Sequence, residues 1–274
     1  MKEPLGRGTI FGHRWSGVKL RALSFTFVNR LLPLLLPVDC ALCAAPTGRD
    51  GGALVCTACR ADLPRMPPHC PRCAQPMATG ANTANIADNS IRPTRPACGR
   101  CQQDPPAAIA TIALWRYAYP VDRLIQRYKY GAQLALAQFF ANEMVRAIDA
   151  RGDPATVDMV DLVVPVPLAP LRLRERGFNQ SAEVARRVAR QIGVDYDARA
   201  LERSRDTAAQ AALELRDRSR NVRGAFSANA AVIGRHIALV DDVMTSGATL
   251  EELGQTALRS GALSVRNWVI ARAE

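Results

Sequence analysis

Leu239-Val240-Asp241-Asp242-Val243-Met244-Thr245-Ser246-Gly247-Ala248-Thr249 carries the pattern on which the fold prediction depends. Residues 236–240 are apolar apart from His236, which predicts a buried strand, and the periodicity of residues 248–259 predicts a helix after it. In open α/β sheets, ligands bind just outside the carboxyl ends of the strands. The stretch therefore predicts a strand, a ligand-binding loop and a helix, in that order.

The loop offers groups that suit a phosphorylated sugar. Residues 245–249 are small or carry hydroxyls, and at the start of a helix their backbone N–H groups, hydroxyls and helix dipole all favour an anion. Asp241 and Asp242 repel a phosphate, but they can accept hydrogen bonds from sugar hydroxyls. An ordinary turn with Thr or Ser as the helix N-cap is the simpler alternative. A Walker loop is disfavoured because residues 239–249 contain no Lys.

The sequence before this loop repeats the same strand and helix pattern. Strands are predicted at 109–117, 159–166 and 265–271, and helices at 121–130, 134–148 and 180–192. Because strands and helices alternate, an α/β fold with a parallel sheet flanked by helices is the economical arrangement.

The eight cysteines predict two zinc sites. They form four Cys-x-x-Cys pairs, none is left over, and two thiolates at this spacing can turn onto one tetrahedral zinc ion. The simplest assignment joins the first two pairs at one site and the last two at the other, and an interleaved assignment stays open. The pairs are Cys40 and Cys43, Cys56 and Cys59, Cys70 and Cys73, and Cys98 and Cys101.

The cysteine spacing also predicts where the protein works and how this segment folds. A secreted disulfide framework would show scattered spacings and a signal peptide, so a reducing, cytoplasmic location is expected. Residues 40–105 hold every Cys and few periodic apolar residues, so metal is expected to pin them. The apolar run 31–38 is too short to span a bilayer and is expected to form a short amphipathic helix, which leaves no transmembrane segment.

Length and composition predict one large domain and one small one. A chain of 274 residues that is 48% hydrophobic can bury one full α/β core and carry an appendage. The predicted division is a flexible tail at 1–30, a cysteine-rich module at 31–106 with an insertion loop at 78–95, and the α/β domain at 107–274.

The charge balance favours a polyanionic partner. The formal net charge is +11, and clustered Lys and Arg attract phosphates without reading a sequence. A basic protein without such a partner is an equally open alternative. Aromatic residues make up only 5% of the chain, and they show no regular platform of the kind that single-strand binders use.

Further motifs accompany the loop 239–249. They are Val164-Pro165-Val166-Pro167-Leu168, Arg176-Gly177-Phe178-Asn179-Gln180, Tyr128-Lys129-Tyr130, and Arg203 with Thr207, Gln210, Leu213, Arg216, Asn221, Gly224, Ala225 and Phe226. The loop resembles the signature of type I phosphoribosyltransferases, and the cysteine pairs resemble a double zinc ribbon. Together with these motifs they resemble the ComF family of DNA-uptake proteins, and the resemblance covers the chain from about residue 31 to its end.

The resemblance implies a binding site for 5-phosphoribosyl-1-pyrophosphate (PRPP). Asp241 and Asp242 would hold the ribose hydroxyls and act in catalysis. The turn at Pro165, Val166, Pro167 and Leu168 would face a pyrophosphate bridged by Mg²⁺. The residues implied to hold the 5-phosphate are Thr245, Ser246, Gly247, Ala248 and Thr249.

Three cationic features could add to this site. Arg172 and Arg176 are predicted to contact the leaving pyrophosphate, because it needs cationic partners, and a solvated face is the alternative. Lys129 either contacts a phosphate or base or, as is commoner for a single Lys on a helix, is solvated. Residues 203–223 carry six Arg and three acids, and they correspond either to the mobile hood of this superfamily or to a surface loop and helix.

The ComF resemblance implies a role in natural competence, with single-stranded DNA and proteins of the uptake machinery as partners, or in nucleotide reuse. The chemistry would be displacement of pyrophosphate at the anomeric carbon by a nitrogen nucleophile. No catalytic base or base-selecting pocket can be identified in the sequence, so an enzyme and a PRPP sensor both stay open. The alternative function is a nucleic-acid-binding zinc-ribbon adaptor with a vestigial site.

Overall fold

The computed structural model describes residues 39–47, 54–77, 96–131, 133–150, 160–204 and 222–273. Four predicted features lie outside the described residues. They are the tail at 1–30, the amphipathic helix at 31–38, the insertion loop at 78–95 and most of the hood candidate at 203–223.

Five parallel strands form the central sheet, in the order β1-β7-β6-β2-β3. Strands β4 and β5 pair separately and antiparallel. The strands are β1 (Ala108–Arg116), β2 (Leu162–Pro165), β3 (Asp195–Tyr196), β4 (Leu201–Arg203), β5 (Phe226–Ala228), β6 (His236–Met244) and β7 (Ser264–Arg272).

Helices cover both faces of this sheet, which confirms the predicted α/β architecture. The described α-helices are α1 (Thr57–Ala61), α2 (Gly99–Gln103), α3 (Val121–Tyr130), α4 (Leu136–Ala150), α5 (Pro170–Arg176), α6 (Gln180–Ile192) and α7 (Ala248–Arg259). The bounds predicted for α3, α6 and α7 agree with the structure.

The core lies in two layers, one on each face of the sheet. Successive side chains of a strand point to opposite faces, so Ala238 and Val240 pack with α3, α4 and α6, whereas Ile237 and Leu239 pack with α7. All nine residues of β7 are buried, because this strand lies inside the sheet and is covered on both faces.

Strand β6 is longer than the predicted strand at 236–240. It continues to Met244, because Asp241, Val243 and Met244 pair with Val269, Ala271 and Arg272 of β7. The two acids therefore lie within the last part of the strand rather than after it. Helix α5 and the short strands β3, β4 and β5 were not predicted, because segments of two to seven residues carry too little periodicity.

Residues 64–71, which follow the first two Cys-x-x-Cys pairs, cover the free edge of β1. The N–H of Thr111 donates to the carbonyl oxygen of Pro71 at 2.8 Å, and the N–H of Arg116 donates to that of Pro64 at 3.0 Å. The segment runs antiparallel to β1, as the bridge between Arg65 and Trp115 shows. An edge that would otherwise offer unpaired N–H and C=O groups is thus satisfied within the chain.

The chain around the first two Cys-x-x-Cys pairs and the chain around the third pair pack on opposite faces of the sheet. Ala41, Val55 and Leu63, near the first two pairs, are buried in the layer that contains Trp115, and Ala74, next to the third pair, is buried in the other layer. Burial against the α/β core therefore stabilises this segment in addition to the predicted metal ions.

Candidate functional site

A cleft of about 330 Å³ opens at the carboxyl ends of β2 and β6. The predicted substrate-binding residues line it, with the exception of Pro165, which is the buried last residue of β2 and pairs with Val240. Those that line the cleft are Val166, Pro167, Leu168, Arg172, Arg176, Asp241, Asp242, Thr245, Ser246, Gly247, Ala248 and Thr249.

The two acids of β6 have different partners. Asp241 Oδ1 accepts hydrogen bonds from Ser181 Oγ at 3.1 Å and from the N–H of Asp242 at 2.8 Å. Asp242 Oδ1 accepts one from Lys129 Nζ at 2.8 Å, and both of these side chains are largely buried. The carboxylates are therefore held in place before any ligand binds.

Burial and the neighbouring charge of Asp242 raise the pKa of Asp241 to about 7, against the opposing effects of the Asp242 N–H, Lys129 and Ser181. A raised pKa in a cleft is typical of functional carboxyls.

We expect Asp241→Asn to stabilise the protein at alkaline pH. The pKa of Asp241 is about 7 in the folded chain and 3.8 in the reference state, so the folded state binds more protons between these values and wild-type stability falls as pH rises. Asn cannot ionise and can still accept both hydrogen bonds. The free energy of unfolding of Asp241→Asn, relative to that of the wild type, should rise by on the order of 1–2 kcal/mol between pH 5.5 and 8.5. This figure is discounted because the side chain is partly exposed.

Urea unfolding of the zinc-loaded protein across this pH range measures the effect. Asp149→Asn, at an exposed site on α4, is the charge-matched control and should show a constant difference from the wild type. An equally constant difference for Asp241→Asn would contradict the pKa assignment.

Lys129 is not the solvated residue that a single Lys on a helix usually is, because its side chain is largely buried. Its helix is anchored by the buried Tyr128, whose hydroxyl donates to the carbonyl oxygen of Gln180 at 2.8 Å. This places Lys129 on the cleft side of α3, where it pairs with Asp242. The two residues are 113 positions apart, so no local pattern could indicate their contact.

The cleft gathers further residues beyond the predicted substrate-binding set. Asn179 caps α6 and donates from Nδ2 to the carbonyl oxygen of Val166 at 3.0 Å, which ties the β2 turn to that helix. Arg176 Nη2 donates to the Tyr130 hydroxyl at 3.1 Å. The additional lining residues include Tyr117, Lys129, Asn179, Gln180, Ser181 and Arg203.

The loop after β6 turns sharply at Gly247. This residue has φ +80° at the N-cap of α7, in the left-handed region that favours glycine, and a Cβ there would lie 2.7 Å from Met244 Cε. The N–H of Ala248 donates to Ser246 Oγ at 3.3 Å. The turn brings the backbone of residues 245–249 to the cleft wall beside the acids.

The cysteines form two clusters of four, and the simplest assignment is confirmed. Within each cluster the sulfur atoms lie within 4.8 Å of one another, which excludes the interleaved assignment. Cys43 and Cys56 sulfurs are 3.8 Å apart, and those of Cys73 and Cys98 are 3.7 Å apart. Tetrahedral zinc with Zn–S bonds of about 2.3 Å requires roughly 3.8 Å. The first cluster is Cys40, Cys43, Cys56 and Cys59, and the second is Cys70, Cys73, Cys98 and Cys101.

Backbone donors prepare one thiol of each cluster for metal. Burial opposes ionisation of Cys40, but N–H groups of Cys56, Cys43 and Leu42 outweigh it and lower the pKa to about 6. At Cys70, burial is likewise outweighed by N–H groups, and the pKa is lowered to about 7. Because zinc binds thiolates, both clusters fit closed structural zinc sites.

The architecture gives the class of protein. A parallel sheet flanked by helices, preceded by two four-cysteine sites, confirms the predicted type I phosphoribosyltransferase fold with an N-terminal double zinc ribbon.

Comparison with known proteins identifies the family. Residues 31–102 match the double zinc ribbon domain family. The chain is 35% identical over 175 residues to DNA utilization protein YhgH of Escherichia coli (strain K12), covering 64% of this chain and 77% of that one. It is 28% identical over 179 residues to Competence protein F of Haemophilus influenzae, covering 64% and 78%. The chain belongs to the ComF family.

Among solved structures, purine phosphoribosyltransferase from Pyrococcus horikoshii is similar at 16% identity, covering 60% of this chain and 88% of that one, with a TM-score of 0.28. The fold assignment rests on the strand order and helices of this chain. In the part of the chain that the structure describes, no helix has the length and apolar character needed to cross a membrane.

Proposed function

We propose that this protein binds PRPP with Mg²⁺ in the cleft between β2, β6 and α7, and that it uses this site in DNA utilisation. The observation that carries the proposal is the convergence, within one cleft, of two fixed carboxylates, an anion-type loop and several cations. Each feature matches one part of PRPP.

The sugar end is matched by the acids and the loop. The carboxylates of Asp241 and Asp242 accept hydrogen bonds from ribose hydroxyls, and Ser181 and Lys129 hold them in position. Backbone N–H groups of residues 245–249 and the dipole of α7 bind the 5-phosphate.

The pyrophosphate end is matched by the turn after β2 and by cations. Residues 166–168 line the cleft, and so do Arg172 and Arg176 of α5, the helix that follows them. When bound with PRPP, Mg²⁺ neutralises charge on the pyrophosphate. The arginines add hydrogen-bond donors in a planar fork that suits phosphate oxygens.

A calorimetric titration of the zinc-loaded protein with PRPP, with and without Mg²⁺, tests the proposal. Saturable binding at one site per chain that tightens with Mg²⁺ is expected. A well-folded wild type that gives no saturable binding contradicts it. Ribose 5-phosphate is the matched control, because it lacks the pyrophosphate and should bind more weakly and independently of Mg²⁺.

A role in DNA utilisation is supported by the family and by charge. The similar proteins are named for DNA utilization and competence, and this chain carries a net charge of +11. A second hollow of about 930 Å³ lies between the loop and the second cysteine cluster, and Arg72, Arg100 and Arg223 are among its lining residues. These cations suit the phosphates of a single strand.

We expect single-stranded DNA to bind with a steep salt dependence that survives loss of the PRPP site. Each phosphate contact contributes about −0.7 to the slope of log K against log salt concentration for single strands. Arg72→Ala with Arg100→Ala should therefore flatten the slope by roughly 1.4. Fluorescence anisotropy with a labelled oligonucleotide at several salt concentrations measures this.

Arg186→Ala with Arg146→Ala removes the same charge from exposed helix positions and is the matched control. An equal flattening in the control pair would place the DNA elsewhere. DNA binding that persists in Asp241→Asn/Asp242→Asn, in a protein whose wild type does not bind PRPP, would favour the zinc-ribbon adaptor instead.

A further inference from the structure

Arg272, the last residue of β7, bridges the second cysteine cluster and the loop after β6. Its Nη1 donates to the carbonyl oxygen of Met244 at 3.2 Å and also to that of Thr245. Its Nε donates to the carbonyl oxygen of Cys73 at 3.3 Å, and its Nη2 donates to Gln75 Oε1 at 2.9 Å. One side chain, only 7% exposed, thus contacts both structures at once.

These contacts fix the side to which two loop carbonyls turn. Arg272 holds the carbonyls of Met244 and Thr245 on its own side, and the N–H of Ala273 also donates to the Met244 carbonyl at 2.9 Å. The C=O and N–H of a trans peptide point in opposite directions, so the N–H groups of Thr245 and Ser246 point away from Arg272. Residues 244–248 line both the hollow that contains Arg272 and the cleft that contains Asp241 and Asp242, so an anion in the cleft would meet this loop.

The chain that leads from the second cysteine cluster into β1 is tied to the other end of the loop. Glu251, in the first turn of α7, accepts hydrogen bonds from the N–H of Ala107 at 3.2 and 3.0 Å, one to each carboxylate oxygen. Ala107 follows shortly after Cys101 and packs closely on α7, since a Cβ at Gly254 would lie 2.9 Å from its own Cβ. The loop is thus held at its start by Arg272 and after its end by Glu251.

We infer that Arg272 is a positioning residue for the anion-binding loop, and that the second cysteine cluster holds it there, so that zinc at this cluster and the anion in the cleft are thermodynamically linked. The anion part of this inference rests on the proposed function. A planar guanidinium with five donors in a fixed fork can satisfy four oxygens from two segments, 73–75 and 244–245, which a Lys ammonium cannot.

The first experiment needs no ligand. Hydrogen exchange in peptides that contain residues 244–251 should accelerate roughly tenfold in Arg272→Gln, which corresponds to one to two net hydrogen bonds. Arg266→Gln is the matched control, because Arg266 lies on the same strand, is 5% exposed and pairs with Ala238, far from the loop. Its exchange in residues 244–251 should equal that of the wild type.

Gln75→Ala is the milder second variant. Gln75 is exposed and is not a zinc ligand, and this change removes only the Nη2 contact of Arg272. It should accelerate exchange in the same peptides by about threefold, the equivalent of part of one hydrogen bond. Metal analysis should show unchanged zinc in all three variants.

The second experiment measures the linkage. The Kd for PRPP with Mg²⁺ should rise roughly tenfold in Arg272→Gln and stay unchanged in Arg266→Gln. Because linkage is reciprocal, saturating PRPP should raise the chelator concentration needed to remove zinc from the second cluster. The factor should equal the one by which zinc at this cluster increases the affinity for PRPP. PRPP should not protect the first cluster. Arg272→Gln should abolish that protection.

The outcomes separate the two proposals. A wild type that does not bind PRPP overturns the proposed function, while faster exchange in Arg272→Gln still supports the positioning role. Exchange in Arg272→Gln and Gln75→Ala that equals the wild type overturns the inference, as does an equal acceleration in Arg266→Gln. Equal protection of both zinc clusters by PRPP also overturns the linkage.

Discussion

Asp241→Asn with Asp242→Asn should abolish the thermal stabilisation that PRPP with Mg²⁺ gives to the wild type. A ligand at one hundred times its Kd stabilises a protein by about 2.7 kcal/mol, which corresponds to roughly 5–10 °C in a domain of this size. The double change removes the negative acceptors for the ribose hydroxyls and leaves Lys129 without its carboxylate partner. Differential scanning fluorimetry with and without the ligand measures the shift.

The control pair is Asp149→Asn with Asp195→Asn, which removes two exposed carboxylates outside the cleft. It should keep the full shift. Circular dichroism and zinc content should match the wild type for both pairs, so that lost binding is not confused with misfolding. Retention of the shift in Asp241→Asn/Asp242→Asn would remove these residues from the PRPP site.

Removal of zinc should destabilise the chain by at least about 4 kcal/mol, because loss of a structural metal is among the largest single effects on stability. The apparent Tm should fall by roughly 10 °C or more. The thiols of both clusters would lose their metal ion, and the segment that covers β1 would lose its anchors at both ends. Scanning calorimetry before and after chelation, with metal analysis for two zinc ions per chain, measures this.

Paired cysteine changes test the assignment of the two clusters. Cys43→Ala/Cys56→Ala affects one cluster and should leave one zinc ion per chain, whereas Cys43→Ala/Cys73→Ala affects both and should leave none. An interleaved arrangement that joins the first and third pairs would reverse these results. The zinc stoichiometry therefore decides between the arrangements even where both variants are less stable than the wild type.

The elements that were predicted well are those whose residues carry their own pattern. Residues 121–130, 180–192 and 248–259 show helical periodicity, and each is a helix with the predicted bounds. Strand β6 was predicted too short, because its last four residues are held by pairing with β7, which lies later in the chain. Hydrogen bonds to a strand that lies later in the chain cannot be identified from residues 241–244 alone.

In the candidate site too, some residues were predicted from a local pattern and others were not. The acids and the loop were placed in one stretch of sequence by motif and chemistry, and the structure shows them side by side on the cleft wall. Lys129 and Ser181 belong to helices remote in sequence, and their contacts with the acids arise only when α3 and α6 pack on one face of the sheet. Their roles in ligand binding stay predictions, as do the domain bounds at 30 and 106.

Residue types at short, regular spacing were enough to predict the alternation of strands and helices, the chemistry of the loop at residues 239–249 and the number of four-cysteine sites. The folded chain was needed to show which cysteine pairs share a site, which cation pairs with Asp242, and that Arg272 joins the second cluster to the loop. These contacts join residues that lie far apart along the chain, because Arg272 and Cys73 are separated by 199 positions. Such contacts follow from the packing of the whole sheet and from no local pattern.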